Sequence, residues 1–321
     1  MNPNETNRLL VKIARLYYEQ EYTQGEIAEQ LNISRQKVQR SLQQAKEEGI
    51  VQVVIRPVSG TYPELERAME ERYGLREAVV AETTNFHDQN IVTREVGAAA
   101  ADYLERVIVS GQTIVISWGG TLLGMVNALA ARPGRLDVRG ITVIQGLGGL
   151  GDPNKEVHAA DLTRRLAQVF DGRAVLLPTP GVAGSKESRE AFYADPHIQQ
   201  VLDQGRRADL AIMGIGAPRP DSILVREGEI VKWPELEALQ LKGAAGDINL
   251  RYFDERGVPV ESDLDARVIG LTLEEIGRID RVIGIAGGAT KVKAIHGALN
   301  GKLIDVLVTD QQTAQAILTI E

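Results

Sequence analysis

The sequence predicts an α/β protein in two parts, a small N-terminal helix-turn-helix domain and a large domain with a doubly wound, mostly parallel sheet. Three observations predict this fold class. Residues 23–48 read as a capped helix, a tight turn and a second helix with a basic, amide-rich face. From residue 76 onward, short β-branched apolar runs alternate with amphipathic stretches. The length of 321 residues suits a short headpiece plus one large domain.

The first helix-turn-helix element has the local signals of a helix start. Thr23 and Glu26 are spaced as a capping box, in which hydroxyl and carboxylate each bind a backbone N–H of the first turn. Asn32 tolerates the left-handed backbone of a sharp turn, Ile33 fills the corner, and Ser34 is placed to cap the second helix.

The residue pattern of the second helix predicts a DNA-binding surface. Val38, Leu42 and Ala45 recur at helical spacing and should face inward. Arginine and glutamine on the opposite stripe suit guanine and adenine edges, while Lys37 and Lys46 suit phosphates. An ordinary solvated helix face is the alternative, but capping box, turn and stripe together favour DNA. The predicted DNA contacts are Thr23, Gln24, Ser34, Arg35, Gln36, Lys37, Gln39, Arg40 and Gln43.

The segments around this motif predict the domain boundaries. An amphipathic helix at 9–20 should pack across it, and a short strand is predicted at 51–55. Pro57, Gly60 and Pro63 mark a boundary near residue 60, and a connector helix at 64–73 should end at Gly74. We predict a DNA-binding domain at 1–57, a linker helix at 58–75, and an effector-binding and oligomerisation domain at 76–321.

The large domain is predicted from its alternating pattern. Residues 252–260 break that pattern and predict a hairpin insertion around residues 255–257. The predicted strands are 78–81, 113–117, 140–145, 174–177, 210–215, 282–286 and 306–309, and the predicted helices are 91–107, 121–131, 156–170, 188–205, 290–299 and 311–318.

Composition and charge limit the kinds of protein that this chain can be. The formal net charge is −8, but residues 1–57 hold eight basic and seven acidic residues, so DNA binding must be local to the headpiece. The absence of cysteine excludes a disulfide framework and fits a reducing cytosol. The four histidines lack a His-x-x-x-His spacing, and no signal peptide or long apolar run is present. We expect a cytoplasmic protein with no metal and no membrane partner.

Two glycine-rich loops follow predicted strands and precede helices. Each would offer backbone N–H groups and a helix N-terminus to an anion at the carboxyl ends of the strands. Glycines that only form tight turns are the alternative, but two such loops favour a phosphate-bearing ligand. The residues concerned are Gly119, Gly120 and Thr121 in the first loop, and Gly287, Gly288 and Lys291 in the second.

The segment GLGGLG at 146–151 matches the dinucleotide fingerprint, but its context does not. Asp152 and Pro153 prolong the loop, and the next strand lacks the terminal carboxylate that would hold a ribose. We therefore expect no cofactor, and interpret Gly148 and Gly149 as part of a loop that closes over a small ligand. Candidate polyol contacts are Glu156, His158, Asp247 and Asp310, of which Asp310 could instead cap the last helix and Asp247 could close a turn.

The chain resembles the SorC family of bacterial sugar-responsive transcriptional regulators over essentially its whole length. The resemblance rests on YTQGEIAEQLNISRQKVQRSL, SWGGT, GLGGLG with EVHAADLTRRLA, MGIGAP, GAAGDI with RYFDERG, IAGGATKVKAI and VTDQQTA, in that order. It implies a DNA-binding headpiece on an effector domain built like sugar-phosphate isomerases and deaminases, binding a phosphorylated sugar in a homodimer or homotetramer. By motif, it implies phosphate contacts at Gly119, Gly120, Thr121 and Lys291, sugar-hydroxyl contacts at Asp247 and Asp310, and a ligand-facing role for His158.

One position departs from the deoxyribonucleoside-regulator type, which looks most similar within the family. That type has a lysine, able to form an imine with an aldehyde sugar, where this chain has Leu147. We therefore expect non-covalent binding, with the identity of the sugar open. The predicted function is a transcriptional regulator of a carbohydrate catabolic operon, more consistent with a repressor, that binds operator DNA and has no catalytic residues. The alternative is a sugar-phosphate isomerase or deaminase with an appended DNA-binding domain.

Overall fold

The computed structural model describes residues 3–51, 60–132, 137–149, 159–220, 222 and 231–320. The chain divides into two compact units, Met1–Val58 and Ser59–Glu321. All but the first residue of the strand predicted at 51–55 lie outside the described residues, as do Glu156 and His158. No helix among the described residues is both long and apolar enough to cross a membrane.

The first unit contains three helices around a small core. They are α1 (Pro3–Tyr18), α2 (Gln24–Gln30) and α3 (Arg35–Glu47). The apolar faces of all three meet, as the helical spacing of their apolar residues predicts. The core consists of Ile13, Leu16, Ile27, Val38 and Leu42, with Leu10, Ala14 and Ala45 in a second cluster.

The second unit is built on a seven-stranded sheet in which every neighbouring pair is parallel. The strand order is β1-β9-β8-β5-β2-β3-β4. The strands are β1 (Glu77–Ala81), β2 (Thr113–Ile116), β3 (Thr142–Gln145), β4 (Arg173–Val175), β5 (Leu210–Gly214), β8 (Arg281–Ile285) and β9 (Val306–Asp310), and a separate antiparallel pair is formed by β6 (Gly246–Ile248) and β7 (Arg251–Phe253).

The sheet is covered on both faces. Ile114 and Ile116 of β2 pack into one core, while Val115 between them packs into another, because successive side chains of a strand point to opposite faces. The helices of this unit are α4 (Pro63–Tyr73), α5 (Gln89–Val107), α6 (Gly120–Ala130), α7 (Ala159–Val169), α8 (Lys186–Tyr193), α9 (Pro196–Arg206), α10 (Trp233–Leu241), α11 (Leu273–Ile276), α12 (Val292–Asn300) and α13 (Gln311–Leu318). The predicted fold class is confirmed.

The direction of winding reverses between β2 and β5. From β2 the chain proceeds to β3 and β4 at one edge, and from β5 it proceeds to β8 and β9 toward the other edge. Ligands of open α/β sheets bind outside the carboxyl ends of the strands at such a switch point. The topology therefore predicts a ligand site near the residues that follow β2 and β5.

Helix α4, predicted as a connector, packs on the sheet. Met69 and Tyr73 belong to one of the sheet's cores. The carboxylates of Glu70 and Glu66 accept the N–H groups of Ala78 and Val80, at 2.9 and 3.0 Å, and so cover the edge strand β1. These contacts group α4 with the second unit, and the three-part division at 57 and 75 stays a prediction.

Three details of the secondary structure differ from the sequence prediction. The single helix predicted at 188–205 is wrong, because Asp195 caps a new helix that starts at Pro196. The hairpin predicted around residues 255–257 is present: the Asp254 N–H donates to the Val258 carbonyl, and the Val260 N–H donates to the Tyr252 carbonyl, both at 2.9 Å. The hairpin before it, in which Asn249 and Leu250 join β6 and β7 with positive φ, is not predicted. Helices α10 and α11 are not predicted either.

Candidate functional site

The capping box and the turn of the helix-turn-helix are present as predicted. The Thr23 N–H donates to Glu26 Oε2 at 2.8 Å, and the Glu26 N–H donates to Thr23 Oγ1 at 3.3 Å. The hydrogen bond from the Thr23 backbone lowers the pKa of Glu26. Asn32 has φ 52°, and the Ser34 hydroxyl accepts the Lys37 N–H at 3.2 Å. The cap and the turn together fix where α3 begins.

Helix α3 presents the predicted reading stripe to solvent. Val38, Leu42 and Ala45 are buried. The predicted stripe is exposed at Arg35, Gln36, Gln39, Arg40 and Gln43. Two open grooves adjoin this face. One is lined by Gln36, Gln39, Arg40, Gln43 and Lys46 among others, and the second includes Thr23, Gln24 and Arg35 in its lining. The lining of the first groove is rich in amides and combines Arg40 and Lys46 with the acidic Glu47 and Glu48. Arginine and glutamine side chains suit base edges, and lysine suits phosphates.

The first glycine loop leaves its helix N-terminus open. Gly119, at φ 141° and ψ 160°, precedes α6, and no side chain in the described part of the chain caps that helix. The loop lies against the end of β5, since the Gly214 N–H donates to Ser117 Oγ at 3.1 Å. Gly119 and Gly120 are partly exposed, and Thr121 is buried. The first-turn N–H groups of α6 are therefore available to an anion at the switch point.

The second glycine loop is arranged differently. The Gly288 N–H donates to Asp310 Oδ2 at 2.9 Å and to Thr313 Oγ1 at 2.8 Å, so this amide is already bonded within the protein. A Cβ on Gly287 would lie 2.4 Å from Asp310 Oδ2, so the close approach of this carboxylate requires glycine at the position. The Gly288 amide is therefore not free for a ligand, and the ligand contacts predicted for this loop stay predictions.

Asp310 is the N-cap of the last helix, which is the structural alternative to a ligand contact. It is fully buried, caps α13 through the Thr313 N–H at 2.8 Å, and accepts the Thr313 hydroxyl at 2.5 Å. With the Gly288 amide, both of its carboxylate oxygens are bonded. Its role as a sugar contact stays a prediction.

Gly148 and Gly149 also use their amides within the protein. They donate to the carbonyls of Ile269 and Thr179 at 2.9 and 2.7 Å. A Cβ on Gly148 would lie 2.4 Å from a neighbouring carbonyl oxygen. These glycines thus allow close backbone approach and do not present those N–H groups to a ligand in this arrangement. Leu147 beside them is buried in an apolar cluster.

Asp247 lies beside the end of β5 and has an unsatisfied oxygen. It forms a backbone bridge with Gly216 (2.9 and 3.1 Å), and its Oδ2 accepts the Leu250 N–H at 3.2 Å, which closes the hairpin turn. Its Oδ1 is buried without a hydrogen-bond partner in the described part of the chain. Burial raises the pKa of Asp247 to about 6, while the charge of Lys291 and the Leu250 N–H act in the opposite direction.

Lys291 brings a cation to the same place. Its ammonium donates to the Ile215 carbonyl, directly after β5, at 2.5 Å. Burial lowers the pKa of Lys291, and the nearby charge of Asp247 opposes that effect. An unpaired acceptor, a partly desolvated cation and the open end of α6 therefore meet at the switch point. Strongly perturbed ionisable groups at such an edge are typical of binding sites.

Sequence reasoning missed Gly216, Asn249 and Tyr252. A Cβ on Gly216 would lie 2.0 Å from Asp247 Oδ1, so only glycine leaves room for that oxygen. Gly216 directly follows a buried apolar run, in MGIGAP, and this position at the end of a strand is the sequence feature that could have identified it. No group of three or more metal-ligating side chains occurs within the described ranges.

Comparisons with known proteins agree with this geometry. Residues 59–319 match the family model "Putative sugar-binding domain", and residues 13–52 match a winged helix-turn-helix DNA-binding family. The chain is 34% identical over 314 residues to the deoxyribonucleoside regulator of Bacillus subtilis, covering 98% of each chain. It is 30% identical over 325 residues to the sorbitol operon regulator of Klebsiella pneumoniae, covering 99% of this chain and all of the relative.

A solved structure shows the same architecture over nearly the full length. The crystal structure of the full-length sorbitol operon regulator from Klebsiella pneumoniae superposes with a TM-score of 0.73 at 29% identity, covering 97% of this chain and 98% of that one. These relatives are transcriptional regulators and not enzymes, so the alternative of an isomerase or deaminase is not supported.

Proposed function

Because the chain belongs to the SorC family of bacterial sugar-responsive transcriptional regulators, we propose that it represses a carbohydrate catabolic operon and that a phosphorylated sugar relieves this repression. The headpiece reads operator DNA through α3, and the sheet domain senses the metabolite, without a cofactor. Chromosomal DNA in bacteria lies in the cytoplasm, so the protein would act there.

The observation that carries the effector proposal is the juxtaposition at the β2/β5 switch point. The uncapped N-terminus of α6 attracts an anion through its N–H groups and helix dipole. Lys291 adds a full positive charge. Burial removes water from its ammonium group, and the oxygens of a phosphate ester would supply hydrogen-bond acceptors in place of that water. Asp247 offers an acceptor for a hydroxyl group. A sugar with a phosphate at one end and hydroxyls along its chain matches all three groups.

Repression also needs more than one headpiece. Two recognition helices meet successive major grooves of a duplex when they lie about 34 Å apart, which requires at least a dimer. A homodimer or homotetramer would satisfy this spacing. An effector that prefers one subunit arrangement shifts that spacing and weakens operator binding, whereas an effector with equal affinity for both arrangements changes nothing.

The test is fluorescence anisotropy with a labelled promoter fragment, titrated with sugar phosphates. The wild-type protein should bind the fragment and release it when the correct sugar phosphate is added. Lys291→Ala should bind the fragment equally well and fail to release it. Lys293→Ala is the matched control, because Lys293 lies two residues further along, its side chain is 79% exposed, and it forms a salt bridge with exposed Glu255 at 3.2 Å.

The control variant should respond as wild type does. Release of DNA by unphosphorylated sugars alone would contradict the phosphate assignment. A normal response of Lys291→Ala would contradict the role of the cation.

A further inference from the structure

Tyr252 has a buried hydroxyl that the fold does not explain. The residue is 2% exposed, and its hydroxyl has no hydrogen-bond partner within the described ranges. An unpaired buried polar group is costly, and native structures pair nearly all of them. In a protein that binds a small molecule, an unpaired buried hydroxyl of this kind indicates that a polar atom of the ligand forms the missing hydrogen bond.

The register of the hairpin places the side chains of Tyr252 and Asp247 on the same face. Tyr252 on β7 is paired directly with Asp247 on β6. Directly opposed residues of an antiparallel pair project to the same face, with Cβ atoms about 4.5–5.5 Å apart. Among the described residues, Asp247 Oδ1 is a second unpartnered buried atom of this hairpin, and Asn249 Oδ1 and Arg251 Nε are two more. A donor without an acceptor and an acceptor without a donor therefore belong to two directly paired residues, and the charge of Asp247 acts on the Tyr252 hydroxyl.

The two atoms are held in place by contacts that do not involve them. Asn249 Nδ2 donates to two loop carbonyls at 3.0 and 2.9 Å, and the Arg251 guanidinium donates to Asp265 Oδ1 at 2.7 Å. Ile248 and Phe253, the neighbours of the orphan pair along their strands, are buried in a core of the sheet. The pair is thus preorganised for a ligand before the ligand arrives.

We infer that Tyr252 and Asp247 together read one hydroxyl group of the sugar, with the Tyr252 O–H donating to the sugar oxygen and Asp247 Oδ1 accepting the sugar's hydroxyl proton. A sugar hydroxyl both donates and accepts, so one group satisfies both orphans. Burial, and the charges of Asp247 and Glu235, raise the pKa of Tyr252, so its hydroxyl stays protonated as a donor at neutral pH. The inference rests on the proposed effector function and adds a selection for sugars with a free hydroxyl at this point.

The experiment compares Tyr252→Phe with wild type in calorimetric titrations and thermal unfolding. The probes are ribose 5-phosphate, 2-deoxyribose 5-phosphate, fructose 6-phosphate, glucose 6-phosphate and inorganic phosphate. Tyr252→Phe should bind the preferred sugar phosphate about tenfold more weakly, the loss of one hydrogen bond, and should bind inorganic phosphate as wild type does. Without ligand, its Tm should equal or exceed that of wild type by roughly 2 °C, because an unpaired hydroxyl is removed.

Tyr103→Phe is the matched control. Tyr103 is 3% exposed, and its hydroxyl interacts with the Arg281 side chain at the amino end of β8. Its removal should lower the Tm and leave sugar affinity unchanged, the opposite pattern to Tyr252→Phe.

The outcomes separate this inference from the proposal beneath it. If wild type binds none of the sugar phosphates, the proposed effector function fails and the inference fails with it. If wild type binds one of them and Tyr252→Phe binds it equally well, the inference alone is overturned. A lower Tm of ligand-free Tyr252→Phe would also overturn it, since the hydroxyl would then have a protein partner.

Discussion

The charge of Asp247 should destabilise the ligand-free protein, and Asp247→Asn should remove that cost. The carboxylate is buried with one oxygen unpaired, and burial raises its pKa to about 6 from 3.8. Asparagine has nearly the same shape and keeps an oxygen that can accept the Leu250 N–H. The substitution therefore changes the charge of the site and little of its packing.

The magnitude follows from proton linkage. A carboxyl group with a raised pKa in the folded state binds its proton more tightly when folded, so its contribution to stability is full below pH 3.8 and is lost as the pH rises through about 6. The free energy lost on full ionisation is about 3 kcal/mol, at roughly 1.4 kcal/mol per pH unit. Asp247→Asn should thus be more stable than wild type by about 2 kcal/mol at pH 5 and about 3 kcal/mol at pH 8.

Urea denaturation followed by tryptophan fluorescence measures this difference. Both tryptophans of the chain, Trp118 and Trp233, belong to the unit that contains Asp247, so the signal reports the unfolding of that unit. The two proteins should be compared at several values between pH 5 and pH 8, without ligand. A stability difference that does not change with pH, or a less stable Asp247→Asn at pH 8, would refute the reasoning.

Three further substitutions test the two sites separately. Arg40→Ala should lose about 1–3 kcal/mol of binding to the operator and little to random duplex, as competition anisotropy would show; equal losses on both would contradict base reading. Lys46→Ala should weaken binding to all duplexes alike and reduce the slope of log affinity against log salt by about 1, and an unchanged slope would exclude a phosphate contact. Gly216→Ala should abolish effector binding in calorimetry and leave operator affinity intact, because its Cβ would lie 2.0 Å from Asp247 Oδ1; normal sugar affinity would exclude the requirement for space at Asp247.

The helix-turn-helix could be predicted almost residue by residue because its determinants are local. A capping box joins residues three apart, and the turn depends on the backbone preference of Asn32 itself. The parallel strands were predicted because buried β-branched runs are also a local signal. The break at Asp195 and Pro196 had such a signal too, an N-cap followed by proline, but the amphipathic pattern on both sides of it favoured one long helix.

The effector site could be predicted only in part because its key relations are non-local. Lys291 was identified from its loop, whereas its proximity to Ile215 and Asp247 depends on how β5, β8 and the hairpin assemble. Tyr252 is the first residue of the segment that the sequence predicts as a hairpin insertion, and nothing in that pattern marks its hydroxyl. The hydroxyl becomes a candidate only because the register pairs Tyr252 with Asp247 and because no described residue hydrogen-bonds it.

Asp247 and Asp310 illustrate what the structure adds to a pair of equal candidates. Each aspartate follows an apolar segment, and each had a structural explanation from sequence. In the structure Asp310 binds two N–H groups and a hydroxyl through both oxygens, so a ligand would have to compete with the cap of α13 and gain little. One oxygen of Asp247 accepts the Leu250 N–H in its turn, and the other is buried without a partner among the described residues, a cost that a hydroxyl donor of the ligand would offset. The free energy of effector binding should therefore depend more on Asp247 than on Asp310.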